Sequence, residues 1–396
     1  MPWQTSSQMS QRLEFVPAVL HRPAGVSIKA LCAQFGIHEK TGHKWLVRFQ
    51  RGGPDALADG SHAPVVPAHQ VPAARVQVVC ALRDAHPTWG ARKLRAVLIA
   101  QAPEIPWPAP STITTLLKRA GLVLPRRRTQ RERGAWAATT LTTPRGPNDV
   151  WAADFKGQFR VGSGAYCYPL TVSDLHARYI LGLTALPSVA GPSVVATFRT
   201  LFQDFGLPAV IRTDNGVPFG APTALGGLST LAVWWIRLGI RPERIHKGAP
   251  QENGAHERMH RTLKAETTRP AATSLPAQQR RFVQWQRTFN TVRPHEALGQ
   301  TQPATHYTPS RRRFPQRLPP LEYPADHELR RVSNNGCISW RGSVLFLSEV
   351  LQHEYVSLHD TAEDEWTIHF GPLTLGTYSA ALLSFTEALA WRPVPL

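Results

Sequence analysis

The middle of the chain alternates strand and helix patterns in an order that indicates a layered α/β fold. From Val150, three successive segments rich in aromatic and β-branched residues predict three strands: VWAADFKGQFRV, AYCYPLTVSDL and ARYILGLTAL. A helix, a fourth strand, a second helix, a fifth strand and a strong helix containing ENGAHERMHRTLKAE follow. Strands that alternate with helices pack as a sheet covered by helices. We assign this α/β core to residues 145–307.

Two helical units precede the core. SIKALCAQFG begins at Ser27, a good N-cap, and Gly36 ends it before a second helix over roughly Glu39–Gln50. This order predicts a helix-turn-helix domain over residues 1–66, although Gly42 inside the second helix costs about 1 kcal/mol of helix propensity. Residues 67–135 predict a second, winged-helix-like domain with helices Pro72–His86, Ala91–Ala100 and Ser111–Ala120, followed by a basic linker.

The C-terminal part of the chain differs from the rest in its residue pattern and its charge. After a Pro/Arg-rich linker, residues 325–396 alternate apolar and polar side chains around turn signals, which predicts a small antiparallel β-barrel. The net charge is +13 over Met1–Arg145 and +10 over Gly146–Pro324, but −5 over Ala325–Leu396. The first two-thirds therefore suits a polyanion such as DNA, whereas we expect the acidic tail to contact protein.

Several classes of protein are disfavoured. The four cysteines are widely spread without CxxC or Cys/His spacing, so neither a zinc finger nor a disulfide framework is indicated. No apolar run is long enough for a membrane span, and the first residues lack the apolar stretch of a signal peptide. We expect a cytoplasmic, nucleoid-associated protein without a membrane partner.

Three acidic residues lie where carboxylates could hold metal ions for phosphoryl transfer. Asp154 is in the first strand, Asp214 ends the fourth strand, and Glu257 lies in the helix after the fifth. Each also has an ordinary explanation, because Asp before Asn-Gly is a turn former and Glu257 could pair with Arg261 on a helix. Whether the three converge depends on the fold.

At these motifs the sequence resembles the DDE transposases of bacterial insertion sequences, within the retroviral integrase superfamily. Thr213-Asp214-Asn215-Gly216 followed by Phe219 is similar to the second-aspartate motif, and PQENGAHER to the segment that ends in the catalytic glutamate. Trp151-Ala152-Ala153-Asp154 is similar to the first-aspartate strand, while Leu263-Lys264 and RPHEAL match the bacterial branch. The order of the domains is similar as well.

The resemblance implies an RNase H-like core with a mixed sheet, two Mg²⁺ (or Mn²⁺) ions, and Asp154, Asp214 and Glu257 as metal ligands and catalytic residues. It implies a transposase that binds terminal inverted repeats, frees 3′-hydroxyls and joins them to target DNA. Its partners would be double-stranded DNA and further copies of the chain assembled on that DNA. We expect DNA contacts from these basic and polar residues: Lys40, His43, Lys44, Arg48, Arg92, Lys93, Arg126, Arg127, Arg128, Asn215, Arg258, Arg261 and Lys264.

Some alternatives remain open. The spacing between Asp214 and Glu257 exceeds the family's usual one, with the surplus in Ala221–Leu228, so Glu252 is a rival for the third carboxylate. Asp174 is interpreted as a turn residue. At the level of function, the alternatives are a catalytically inactive domesticated relative that regulates through its helix-turn-helix, and a ribonuclease H-like nuclease. Intact Asp154, Asp214 and Glu257 argue against the regulator.

Overall fold

The chain divides into two compact units. They span Met1–Pro72 and Ala73–Leu396. The computed structural model describes residues 7–60, 70–123, 141–221, 224–246, 252, 254–382 and 384–391. None of the helices in these ranges is both long and apolar enough to cross a membrane.

The first unit contains the predicted helix-turn-helix. Its helices are α1 (Gln8–Leu20), α2 (Ile28–Gln34) and α3 (Glu39–Gly52). The Ser27 hydroxyl accepts a hydrogen bond from the Ala30 N–H and so caps α2, as its position predicted. A core of Phe15, Trp45 and Leu57 holds the three helices together.

Gly42 has a packing role that propensity alone did not reveal. A β-carbon at this position would lie 2.4 Å from Cys32 Sγ and 2.9 Å from Phe15 Cζ. Glycine therefore allows α3 to approach α1 and α2 closely, and this contact offsets the weaker helix propensity.

The second unit begins with three helices, α4 (Ala73–Ala85), α5 (Ala91–Gln101) and α6 (Pro110–Arg119). They pack around Trp89, Leu94 and Ile113. Residues 70–123 form no strand, so this described segment lacks the β-strands of a winged helix. An ion pair of 2.6 Å between Arg92 Nη1 and Glu296 Oε1 joins this bundle to the α/β core.

The core is a mixed sheet between two layers of helices. Its strands are β1 (Val150–Phe155), β2 (Phe159–Arg160), β3 (Tyr166–Asp174), β4 (Ile180–Leu186), β5 (Val210–Thr213) and β6 (Arg241–Arg244). The five longer strands follow the order β4-β3-β1-β5-β6, with β5 parallel to both neighbours and β3 antiparallel to both of its own. The short β2 pairs with the start of β3. The helices are α7 (Gly191–Phe205), α8 (Thr230–Arg237), α9 (Gly254–Thr267) and α10 (Leu275–Thr291).

The two faces of this sheet are covered by different helices. Trp151 packs with Phe198 of α7 and Trp235 of α8. Leu183 packs with Leu263 of α9 and Phe282 of α10. Both faces are therefore buried, as the predicted alternation of strands and helices requires.

The segment before α8 is a turn, in agreement with the loop expected over Ala221–Leu228. Gly226 and Gly227 both have positive φ, a conformation that ends any regular helix, and the chain forms only a short 3₁₀ turn there. The Ser229 hydroxyl then accepts from the Ala232 N–H and caps α8. The extra residues between Asp214 and Glu257 are thus absorbed outside regular structure.

The predicted C-terminal barrel is not confirmed, because the described strands there form no closed barrel. Seven strands form there: β7 (Glu328–Arg331), β8 (Cys337–Trp340), β9 (Ser343–Phe346), β10 (Tyr355–Ala362), β11 (Glu365–Phe370), β12 (Leu373–Ser379) and β13 (Ser384–Trp391). Five make an open antiparallel sheet in the order β13-β12-β11-β10-β7, and β8 and β9 pair only with each other within the described residues.

The open sheet buries its apolar face against the core. Its side chains share one hydrophobic cluster with Leu225, Val233 and Ile236, the last two of which belong to α8. Arg237 and Glu354 add an ion pair of 2.7 Å. Alternating polarity shows that one face of each strand is buried, but not whether a barrel interior or a neighbouring helix covers it. Here both α8 and the β8–β9 hairpin, through Ile338 and Trp340, pack against it.

Candidate active site

The ends of two parallel strands bring Asp154 and Asp214 together. In β1 and β5, Val150 pairs with Val210, Trp151 with Ile211, and Ala152 with Arg212. Two further steps in this register place Asp154 level with Asp214 at the same edge of the sheet. The 60 residues that separate the two aspartates in sequence are therefore spanned by strand pairing.

Local hydrogen bonds fix the loop that carries Asp214. The Gly216 N–H donates to Asp214 Oδ1 at 3.1 Å, which is the turn-forming contact expected of Asp before Asn-Gly. Asn215 Nδ2 donates to the Ile245 carbonyl at 2.8 Å and so ties the loop to the residue that follows β6. The turn geometry and a metal-binding role are compatible, because the other carboxylate oxygen, Oδ2, makes no hydrogen bond within the described residues.

The helix α9 supplies the third carboxylate and a basic wall. Glu257 lies in its first turn and lines an open cleft of about 640 Å³ together with Asp154. The cleft also receives four cationic side chains: Lys156, Arg261, Lys264 and Arg269. No ion pair joins Glu257 to Arg261 in the described part of the chain, so the helix-pair explanation of Glu257 receives no support from the structure.

The carboxylates of Asp214 and Glu257 lie close enough to Asp154 to affect its pKa. Burial, together with the charges of Asp214 and Glu257, raises the pKa of Asp154 to about 7, against the opposing effects of the Phe155 N–H and Lys156. Like charges this close repel one another, and a divalent cation would relieve the repulsion. Carboxylate oxygens are also the ligands that Mg²⁺ and Mn²⁺ prefer, so the donor set fits the ions that the resemblance implies.

Two histidines behind Asp154 were missed by the sequence reasoning. His256 and His260 lie one turn apart on α9, with their rings 4.5 Å apart and facing β3. Both Nε2 atoms lie 2.6 Å from Thr171 Oγ1. Burial lowers the pKa of His256 to about 3 and that of His260 to about 2, so both rings are neutral. The signal available in the sequence was their i, i+4 spacing around Glu257.

The rival carboxylate lies elsewhere. Glu252 accepts hydrogen bonds from both the backbone N–H and Nδ1 of His246, each at 2.8 Å. It lines a separate pocket with Arg212 and Arg258, not the cleft of Asp154. Asp174 accepts 2.6 Å hydrogen bonds from the N–H groups of Asn148 and Ala177, a turn and anchoring role that agrees with its interpretation as a turn residue.

The residues predicted to contact DNA fall into three groups. Arg261 and Lys264 line the cleft, Asn215 lies in the loop after Asp214, and Arg258 lines the pocket that holds Glu252. Arg92 pairs with Glu296 yet keeps 71% of its side chain exposed, while burial lowers the pKa of Lys93 to about 8.

The third group lies outside the core. On α3, Lys40, His43 and Lys44 are exposed and Arg48 is half-buried, with its guanidinium 5.0 Å from the centre of the Trp45 ring. This is the basic helix face expected of a DNA-binding helix. Arg126, Arg127 and Arg128 lie outside the described residues.

The raised pKa of Asp154 leads to a stability prediction for the metal-free protein. The folded-state pKa of about 7 exceeds the ordinary value of 3.8, so the stability that protonated Asp154 provides is lost as the pH rises through 7. In EDTA, raising the pH from 5 to 8 should lower the free energy of unfolding of the wild type by on the order of 2 kcal/mol relative to that of Asp154→Asn, because asparagine does not ionise. Thermal unfolding at both pH values measures this difference. The exposed control Asp360→Asn should follow the wild type, and a pH-independent effect of Asp154→Asn would contradict the expectation.

Comparison with known proteins gives a consistent family relationship. Models of the integrase core domain match residues 144–250 and 238–303. A helix-turn-helix domain model matches residues 11–64, and a homeodomain-like model matches residues 41–117.

The relatives found by sequence and by structure include insertion-element proteins and a viral integrase. An uncharacterized 39.2 kDa protein of insertion element IS476 from Xanthomonas euvesicatoria is 26% identical over 275 residues, which cover 69% of this chain and 70% of the relative. A 31.7 kDa protein of insertion element IS407 from Burkholderia multivorans is 26% identical over 193 residues, 48% of this chain and 66% of the relative. Among solved structures, the HTLV-2 integrase catalytic core domain in complex with magnesium covers 42% of this chain and 100% of its own, with 14% identity and a TM-score of 0.30.

The matches to helix-turn-helix and integrase-core families occur in the order in which the structure places the α-helical unit and the α/β core. The chain therefore contains integrase-core and helix-turn-helix domains, and it is similar to proteins of bacterial insertion elements.

Proposed function

We propose that this protein joins the 3′ ends of its own mobile element to target DNA by direct phosphodiester transfer, with Asp154, Asp214 and Glu257 as the catalytic residues. The observation that carries the proposal is the convergence of these carboxylates at one sheet edge beside a basic cleft wall. Asp154 is largely buried and is repelled by the half-buried Asp214 and the exposed Glu257. A carboxylate in such surroundings is unfavourable by itself, and it persists where a function requires it.

In this proposal the three carboxylates hold two divalent ions, Mg²⁺ or Mn²⁺. When bound, these ions would lower the barrier by polarising the scissile phosphate and by stabilising the attacking and leaving oxygens. Arg261 and Lys264, on the α9 wall, would hold the phosphates on either side of the scissile bond. Asn215 would keep the Asp214 loop in place through its hydrogen bond to the Ile245 carbonyl.

The bond changes are those of a single in-line displacement. The 3′-hydroxyl oxygen of the element end attacks a target phosphorus, a new P–O bond forms, and the old bond to the target's 3′ oxygen breaks. The proton of the attacking hydroxyl goes to solvent, and the leaving oxygen takes up another, so no energy-supplying co-reactant is needed.

Recognition of the ends is assigned to the helical domains. The exposed basic residues of α3, Lys40, His43, Lys44 and the half-buried Arg48, suit a recognition helix in the major groove of the terminal inverted repeats. Arg92, Lys93, Arg258 and the linker residues Arg126, Arg127 and Arg128 would add phosphate contacts. Since two ends must be joined together, we propose that copies of the chain assemble on the DNA as a homo-oligomer.

The proposal is tested by incubating the full chain with short duplexes that carry the element's terminal sequences and with a supercoiled target plasmid. We expect joined products with Mn²⁺ or Mg²⁺, none in EDTA, and fewer with scrambled ends. Sequencing gels and product mapping measure both efficiency and position. Sequence-specific binding without any cleavage or joining under all metal conditions would indicate a DNA-binding regulator and overturn the proposal.

A further inference from the structure

The hydrogen bonds around Thr171 orient the rings of two buried histidines. Thr171 Oγ1 lies 3.0 Å from the backbone carbonyl oxygen of Asp154, which can only accept, so the single hydroxyl proton is donated there. His256 Nε2 and His260 Nε2 both lie 2.6 Å from the same Thr171 oxygen. Each ring must therefore donate an Nε2–H to Thr171. With Nε2 of each ring directed at Thr171, Nδ1 is the ring nitrogen left for another partner.

The two Nδ1 atoms have different surroundings. His256 Nδ1 lies 3.1 Å from Ser173 Oγ, which can donate its proton, so this acceptor is satisfied. His260 Nδ1 has a single polar neighbour among the described residues, Asp154 Oδ2 at 3.6 Å. A ring nitrogen and a carboxylate oxygen thus face each other, on a His260 side chain that is only 5% exposed.

The separation suits a shared cation. Two atoms that bind one ion at about 2.2 Å lie roughly 3.1 to 3.6 Å apart at octahedral and tetrahedral angles. The ligand atoms of Asp154, His256 and His260 all lie within 4.8 Å of one another, but Ser173 already occupies His256 Nδ1. His260 also lines the cleft beside Glu257.

We propose that His260 is a further ligand of the ion held by Asp154 and binds it through Nδ1. This inference rests on the proposed function, because it concerns the same cleft. Thr171 then acts as the positioning residue: it accepts the Nε2–H of His260 and donates to the Asp154 carbonyl, and so orients both ligands.

A nitrogen ligand changes which ion the site prefers. Mg²⁺ strongly favours oxygen ligands and keeps several waters, whereas transition-metal ions accept an imidazole nitrogen. The site should therefore bind Mn²⁺ more tightly than Mg²⁺, and the preference should depend on His260. We expect His260→Gln, which retains an amide N–H that can donate to Thr171, to reduce the ratio of Mn²⁺ to Mg²⁺ affinity by about tenfold.

The direct test is pulsed electron paramagnetic resonance of Mn²⁺ bound to the full-length protein without DNA. We expect echo modulation from a directly coordinated ¹⁴N nucleus, its replacement by the ¹⁵N pattern when the wild-type protein is labelled with ¹⁵N-histidine, and its loss in His260→Gln. The control His246→Gln, at a side chain 60% exposed and outside the cleft, should retain the signal. The ¹⁵N-histidine-labelled wild type shows whether a histidine nitrogen binds Mn²⁺ even if His260→Gln fails to fold.

The outcomes separate this inference from the proposed function. Mn²⁺ that binds in an Asp154-dependent manner without nitrogen modulation would overturn the role of His260 and leave the joining reaction intact. A nitrogen signal that persists in folded His260→Gln would overturn it as well. Absence of Asp154-dependent Mn²⁺ binding, together with no joining activity, would overturn both.

Discussion

Glu257→Gln should lower the rate of DNA joining by about 10³-fold or more, because an ionised metal ligand is worth several kcal/mol to the transition state. Glutamine keeps the size and helix propensity of glutamate, so α9 and its packing through Met259 and Leu263 should be preserved. The change removes one negative charge from a cleft in which Asp154 already has a pKa of about 7. The assay is joining of pre-cleaved element ends to target plasmid, with protein folding checked by circular dichroism.

The matched control is Glu252→Gln, five residues earlier in the same segment. Its carboxylate accepts from His246 and lies in the pocket with Arg212 and Arg258, so we expect the joining rate to stay within about threefold of the wild type. The reverse pattern, with Glu252→Gln inactive and Glu257→Gln active, would assign the third carboxylate to Glu252. Asp214→Asn should match Glu257→Gln, and an active Asp214→Asn protein would refute the metal assignment altogether.

The parts of the site that could be predicted were those with a local signature. Asp214 is followed by Asn215-Gly216, and the Gly216 N–H does donate back to its carboxylate. Glu257 lies in a helix whose basic residues Arg261 and Lys264 share its face, and all three line one cleft. Helix caps at Ser27 and the alternation of strands and helices are local for the same reason.

The parts that could not be predicted depend on contacts between distant segments. The orientation of the His260 ring depends on Thr171, 89 residues earlier in the chain, and no residue spacing within α9 predicts that contact. The apolar face of the open C-terminal sheet packs against α8 and the β8–β9 hairpin, and neither contact can be read from the strands themselves. Gly42 likewise has an unfavourable helix propensity, and only its close approach to Cys32 and Phe15 accounts for the glycine. The alternation of apolar and polar residues and the helix propensity are properties of one segment. Whether a sheet closes, or two helices approach closely, depends on the segments that pack against it.

The same distinction applies to Arg212, a charged residue in a strand that sequence patterns would leave unexplained. Its side chain is 8% exposed, and it pairs across the ladder with Glu243 of β6, whose side chain is 5% exposed. Arg212 Nε donates to Glu243 Oε2 at 2.7 Å and Nη2 donates to the Thr142 carbonyl at 2.6 Å. Glu243 Oε1 in turn accepts from both the N–H and the hydroxyl of Thr142. This network ties Thr142, in the segment that leads into the core, to β5 and β6, the strands next to Asp214.

Arg212→Ala should therefore destabilise the core by about 3–5 kcal/mol, since it leaves the Glu243 carboxylate buried without its main partner. We expect the thermal midpoint of the core transition to fall by about 10 °C. Arg330→Ala, which breaks an exposed pair with Glu328, should cost less than about 1 kcal/mol. The decisive comparison is Arg212→Met with Glu243→Leu, which removes both charges and should recover most of the loss. If the double variant is as unstable as Arg212→Ala, the hydrogen bonds to Thr142, and not the uncompensated charge, hold the strands in place. In that case joining activity should fall with stability, because Asp214 lies two residues beyond Arg212 and depends on the same strand for its position.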